Sequence, residues 1–145
     1  MRTIKHFGGL LLLIIICLPL SSQTGREWKD TANEYINAHG GGILFHEGLY
    51  YWFGEHRPEK GFTTEVGVNC YTSPDLQTWT HKSVALPVSE TLGDDIERGC
   101  IIERPKVIYN QKTGKFVMWF HLELKGQGYG PARAAVADSD KPEGP

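Results

Sequence analysis

The chain has 145 residues, and 15 basic against 17 acidic side chains give it a net charge of −2 at pH 7. A mildly acidic composition makes nucleic acid and anionic membrane surfaces unexpected partners. The length is enough for one small domain.

The first residues of the chain have the pattern of a secretory signal peptide. Arg2 and Lys5 precede an apolar run from Gly8 to Leu20, and two serines follow. We therefore predict a signal peptide over residues 1–23 and an exported protein, periplasmic or extracellular. A membrane-spanning helix needs about 20 apolar residues, and Pro19 closes the run too early for that, so no membrane span is predicted. A short membrane anchor is the alternative.

Residues 24–145 form the predicted domain, which opens with an irregular lead-in anchored by Trp28 and Tyr35. Short apolar runs with period-two alternation predict strands, and no segment has a helical period. The predicted strands lie near 41–46, 50–55, 66–73 and 79–86, then, after a polar loop at 87–99, near 105–110, 115–122 and 131–138.

The second group of strands repeats the first. Ile43 and Val107 stand 64 residues apart, and Tyr50 and Phe116 stand 66 apart, with a longer turn absorbing the difference. A period of this length with several short strands per unit indicates propeller blades rather than a helical solenoid. We therefore predict an all-β chain covering about the first two blades of a β-propeller. A whole propeller at this period needs upwards of about 250 residues, so the chain is expected to be an incomplete, N-terminal part.

Two cysteines follow the predicted signal peptide, Cys70 on a predicted strand and Cys100 just before one. An exported compartment permits a disulfide between them. Two buried free thiols are the alternative, because a pair of cysteines says nothing about the distance that a bridge requires.

Several motifs together resemble glycoside hydrolase family 43, and within it the branch similar to exo-β-1,3-galactanases. The first is the turn from Ser73 to Trp79, in which Ser or Asp side chains are expected to bond backbone amides and Trp79 to pack under the hairpin. The others are Asn37-Ala38-His39-Gly40-Gly41-Gly42, Tyr51-Trp52-Phe53-Gly54-Glu55 and Ile102-Glu103-Arg104-Pro105-Lys106-Val107.

This resemblance implies a five-bladed propeller that hydrolyses β-1,3-galactan side chains of plant-type polysaccharides by inversion. Its expected partner is a polysaccharide or oligosaccharide substrate. Two alternatives stay open: a noncatalytic carbohydrate-binding propeller, and a family 43 glycosidase specific for arabinose or xylose.

The strongest candidate site residue is Glu103, for which we predict a catalytic role. In a propeller the first strand of each blade lines the channel, and His39 and Glu103 stand 64 residues apart, just ahead of two such strands. Inversion needs one carboxylic acid and one base, and a structural ion pair is the alternative role for Glu103. Arg104 is expected either to hold a carboxylate ionised or to pair with one of the loop residues Asp94, Asp95 and Glu97.

Four residues are predicted to bind substrate: His39, Glu55, His121 and Tyr129. Glu55 ends an aromatic run and could accept hydrogen bonds from sugar hydroxyls, or be an exposed loop carboxylate. Tyr129 lies in a glycine-rich loop and is either a stacking platform for a sugar or an anchor for that loop. His121 repeats the position of Glu55, with a satisfied strand-end histidine as the alternative.

The chain departs from most of the family at the usual general base. Ala38-His39-Gly40 stands where an aspartate is common, a lack that the galactanase-like branch shares. The resemblance places the general acid in a later blade, beyond Pro145. The role of Glu103 is thus open among base, modulator of the acid's pKa and sugar ligand. No histidine spacing indicates a metal site, and the Gly40–Gly42 run precedes a strand rather than a helix, so no cofactor is predicted.

Overall fold

The computed structural model describes residues 27–145, so the predicted signal peptide lies outside the described residues. No helix within residues 27–145 is long and apolar enough to cross a membrane. The strands are β1 (His39–His46), β2 (Leu49–Glu55), β3 (Gly67–Ser73), β4 (Thr80–Pro87), β5 (Ile101–Asn110), β6 (Lys115–Glu123) and β7 (Arg133–Ser139).

The strands form two antiparallel meanders, one with the order β1-β2-β3-β4 and the other β5-β6-β7. This confirms the predicted all-β chain of two blades. The predicted start of the second blade was wrong, because β5 begins at Ile101 and not near 105. The apolar pair Ile101-Ile102 continues the pairing with β6 on the far side of an irregularity at Pro105.

The sequence repeat is also a backbone repeat. The pairing register of β1 with β2 shifts between His39 and Gly42, and that of β5 with β6 shifts between Glu103 and Lys106. Such β-bulges re-aim the residues beside them. Within them Gly40 and the equivalent Arg104 adopt nearly the same left-handed conformation, with φ of 55° and 56°. An arginine is strained there, and strain of this kind concentrates at functional sites.

The core lies between the two sheets. Tyr51, Phe53 and Val68 of the first blade pack against Ile102 and the buried face of β6 in the second. Burial of this apolar surface is the main force holding the blades together. Because β5 packs beside β1 and β2, the channel ends of both blades meet.

Cys70 and Cys100 belong to this core and are both free, so no disulfide joins them and the buried-thiol alternative is confirmed. Burial raises the pKa of Cys70 to about 12 and that of Cys100 to about 11. Both thiols are therefore protonated at neutral pH and poorly reactive.

The turn after β3 has the predicted structure. Asp75 Oδ1 accepts hydrogen bonds from the amides of Gln77 at 2.9 Å and Thr78 at 2.7 Å. Trp79 is 1% exposed and packs with Tyr71 and Ala38 in a second, smaller cluster. Trp28 of the lead-in packs on this cluster through Trp79, as expected of an anchor.

The outward faces of the two sheets remain apolar and exposed. Ile43 and Phe45 stand out from the first blade, and Ile108, Trp119 and Val136 from the second. In a propeller these are the faces on which neighbouring blades pack.

Candidate active site

Two buried carboxylates meet where the blades come together at the channel. Glu55 is the last residue of β2 and is 3% exposed, while Glu103 lies near the start of β5 and is 5% exposed. The interpretation of Glu55 as an exposed loop carboxylate is therefore wrong. A buried carboxylate is costly unless its oxygens accept hydrogen bonds, so the partners of this pair define the site.

One guanidinium holds both carboxylates. Arg57 Nη2 lies 3.3 Å from Glu55 Oε1 and 3.1 Å from Glu103 Oε1. Asn37 fixes the backbone of Arg57, because its side-chain amide donates to the Arg57 carbonyl and its Oδ1 accepts from the Arg57 amide, both at 2.8 Å. Arg57 thus joins the two blades by a charge-assisted contact at the channel.

The strained Arg104 contacts both carboxylates. Its amide donates to Glu55 Oε2 at 3.1 Å, and its Nη2 lies 3.6 Å from Glu103 Oε2. The first expectation for Arg104, that it holds a carboxylate ionised, stays a prediction. The second, a pair with an acid of the 87–99 loop, is wrong because the bulge directs Arg104 toward the channel. The loop acids instead contact Ser89, Arg133 and Lys125.

Tyr129 reaches the site from the loop between β6 and β7. Its hydroxyl donates to Glu103 Oε1 at 2.8 Å, while the residue stays 50% exposed. The hydrogen bond to the Glu103 carboxylate raises the pKa of Tyr129. Tyr129 thus anchors its loop through the hydroxyl and still leaves ring surface to the solvent, so the anchor and the stacking platform are compatible.

The two predicted histidines lie at the edge of this cluster. His39 is exposed and pairs in register with Glu55, and His121 pairs in register with Glu103. The His121 side chain bonds Glu123, with 2.7 Å between Nε2 and Oε1, as a satisfied strand-end histidine would. Substrate binding by His39 and by His121 stays a prediction.

Sequence reasoning missed two charged residues, Arg57 and the fully buried Glu123. The repeat contained a signal for both. Arg57 follows Glu55 by two residues, Glu123 follows His121 by two, and the two pairs stand 66 apart. Equivalent positions in the two blades therefore carry charged or titratable groups at the channel.

The cluster presents acceptor oxygens, guanidinium donors and a half-exposed aromatic ring. This is the set of groups that recognises sugar hydroxyls together with the apolar face of a sugar ring. Among residues 27–145, no group of three or more His, Cys, Asp or Glu side chains converges as a metal site would require.

Two antiparallel meander blades that pack against each other, with buried carboxylates where β2 and β5 meet, define part of a β-propeller. No protein-family model and no curated protein matched the chain. Solved structures did match it. A family 43 β-1,3-galactosidase bound to galactodeoxynojirimycin is 73% identical with a TM-score of 0.82, over 83% of this chain and 35% of that one.

Two exo-β-1,3-galactanases match the same share of this chain, 83%. The one from Phanerochaete chrysosporium, solved with galactose, is 42% identical with a TM-score of 0.76 over 27% of its length. The one from Clostridium thermocellum is 47% identical with a TM-score of 0.73 over 25% of its length. The chain belongs to glycoside hydrolase family 43, and the predicted five-bladed fold, of which it covers about two blades, is confirmed. It spans about a third or less of the length of these structures.

Proposed function

We propose that this chain supplies part of the sugar-binding funnel of a glycoside hydrolase that removes galactose from β-1,3-linked galactan with inversion. The observation that carries the proposal is the buried pair Glu55 and Glu103, held at the channel by Arg57. Burying two carboxylates next to each other opposes folding, so a site of this kind is retained for what it binds.

The contacts of Glu103 favour an acceptor role over that of the general acid. Arg57 and the Tyr129 hydroxyl both donate to Oε1, and Arg104 lies beside Oε2. A general acid must carry a proton on the oxygen that faces the leaving group, whereas these donors require lone pairs. Glu103 is therefore suited to accept hydrogen bonds from sugar hydroxyls or to activate water.

The identity of the sugar is supported by the relatives. The matched proteins include a β-1,3-galactosidase and an exo-β-1,3-galactanase, and the latter was solved with galactose. Because this chain is 73% identical to the β-1,3-galactosidase, we expect its two blades to bind the same class of sugar.

The test is Glu103→Gln in the full-length protein, with β-1,3-galactobiose as substrate. We expect turnover to fall by about 100-fold or more, as for loss of a group that takes part in proton transfer or holds the reacting sugar. Glu47→Gln is the matched control, because its side chain is 86% exposed on the turn after β1. Normal turnover in a folded Glu103→Gln variant would exclude this role for Glu103.

A panel of aryl glycosides separates the alternatives. Hydrolysis of the aryl β-galactoside supports the proposal. Hydrolysis of aryl arabinosides or xylosides alone would show that the enzyme is specific for one of those sugars instead. Galactose binding without release from any substrate would favour a noncatalytic carbohydrate-binding propeller.

We also propose that the protein is exported. The support is the N-terminal pattern of Arg2 and Lys5 followed by an apolar run ending near Leu20. Cell fractionation and N-terminal sequencing of the mature protein test this, with cleavage near residue 23 expected. A cytoplasmic protein that retains Met1 would contradict it.

A further inference from the structure

Glu123 is a buried carboxylate outside the contact network of Arg57. It is the last residue of β6 and is fully buried. Its oxygens have two partners: the His121 ring nitrogen, 2.7 Å from Oε1, and the amide of Ala132, 3.1 Å from Oε1 and 3.0 Å from Oε2. Neither partner belongs to the hydrophobic core, so packing alone does not explain why a carboxylate stands here.

Ala132 is the far end of the loop that carries Tyr129. The loop leaves β6 directly after Glu123 and rejoins the sheet at Arg133, the first residue of β7. Ala132 has a φ of 48°, which is strained for a residue other than glycine. The hydrogen bond from its amide to Glu123 therefore ties the end of the loop to its beginning and offsets that strain.

His121 provides a second connection from Glu123 to Tyr129. The two rings meet edge-on, with centroids 5.9 Å apart and an interplanar angle of 70°. Nε2 of His121 faces Glu123, so this contact sets the orientation of the imidazole against which Tyr129 packs. Glu123 thus restricts the position of the Tyr129 side chain in two ways, through the backbone of the loop and through the neighbouring His121 ring.

We propose that Glu123 is a positioning residue that holds the Tyr129 hydroxyl on Glu103, and so shapes the sugar site without touching the sugar. This inference deepens the proposed function and rests on it. Loss of the Glu123 contacts frees the loop, withdraws the hydroxyl from Glu103 and weakens substrate binding. Conversion of Glu123 to glutamine should be milder than conversion to methionine, because an amide oxygen still accepts from Ala132.

The experiment titrates Tyr129 in the full-length protein carrying ¹³C-labelled tyrosine, with Tyr129→Phe used to assign its signal. The Glu103 carboxylate raises the pKa of Tyr129. In Glu123→Met we expect that pKa to fall toward its ordinary value, and in Glu123→Gln to stay closer to the wild type. The control is Glu97→Met, since Glu97 holds Lys125 at the other end of the same loop, 2.5 Å from its Nζ.

Steady-state kinetics with β-1,3-galactobiose as substrate provide a second, independent measurement. Glu123→Met should lower kcat/KM by about tenfold, mostly through KM, as expected for loss of one hydrogen bond to a charged group at a binding site. Adding Glu123→Met to Tyr129→Phe should then bring no further loss, because both changes remove the same contact.

The outcomes separate the inference from the proposed function. An unchanged Tyr129 pKa in folded Glu123→Met overturns the inference, as does an equal fall in Glu97→Met. A shifted pKa in a protein that neither binds nor hydrolyses galactosides overturns the proposed function and leaves the positioning contact standing. If Glu123→Met does not fold, His121→Phe removes one of the two contacts and keeps a ring beside Tyr129. An unchanged pKa in that variant overturns the inference.

Discussion

Replacing Arg57 with methionine tests whether one guanidinium holds the two buried carboxylates. Glu55 and Glu103 keep 3% and 6% of their side-chain surface exposed, and Arg57 keeps 31%. Removing one partner of a buried ion pair costs about 3–5 kcal/mol, because a charge remains without compensation. Since Arg57 is partly solvated, we expect a loss near the lower limit, about 3 kcal/mol in the free energy of unfolding.

The assay is urea unfolding of the full-length protein, followed by tryptophan fluorescence. Arg98→Met is the matched control, because Arg98 pairs with Glu90 and Glu65 on the surface and is 47% exposed. Exposed pairs contribute little to stability, so this control should stay close to the wild type. Adding Glu103→Gln to Arg57→Met should restore part of the lost stability, because it removes one of the uncompensated charges. Equal losses in Arg57→Met and Arg98→Met would refute the reasoning.

Three further predictions concern stability. Gly40→Ala should destabilise the protein more than Gly114→Ala: both glycines have positive φ, but an added Cβ at Gly40 meets the Glu55 carboxylate at 2.8 Å and one at Gly114 meets nothing within 4 Å. Comparable urea midpoints for the two would contradict this. Burial raises the pKa of Cys70 from 9.0 to about 12, so the thiol loses its proton at lower pH in the unfolded chain than in the folded one. The stability of the folded protein should therefore fall as the pH rises from about 9 toward 12, and it should fall less steeply in Cys70→Ala. The amides of Thr78 and Gln77 lower the pKa of Asp75 from 3.8 to about 2, so melting temperatures across pH 5 to 2 should fall less in Asp75→Asn than in the wild type.

The repeat made most of the fold predictable. Apolar residues at every second position, Val68 and Cys70, and the turn ending at Trp79 marked the first blade. In the structure β3 is buried along its whole length and not on one face alone. The start of β5 was missed because Pro105 breaks that pattern, and only the partner strand reveals that pairing resumes at Ile101.

The site was predictable in part. Glu103 and Glu55 could be placed at the channel because their positions repeat relative to strands. The repeat relates Arg57 to Glu123, which stands 66 residues later, but it does not reveal what either side chain contacts, because no local sequence pattern identifies those partners. Arg57 reaches Glu103 across 46 residues, and Glu123 reaches Ala132 across a loop whose shape no local pattern defines.

The most direct test of the account is a crystal structure of the full-length protein with bound galactose. We predict that a galactose hydroxyl lies within hydrogen-bonding distance, about 3 Å, of a Glu103 carboxylate oxygen, with the ring of Tyr129 beside the sugar. Galactose bound elsewhere, with the contacts among Glu103, Arg57 and Tyr129 unchanged and closed to the sugar, would contradict the claim that these carboxylates form the galactose site.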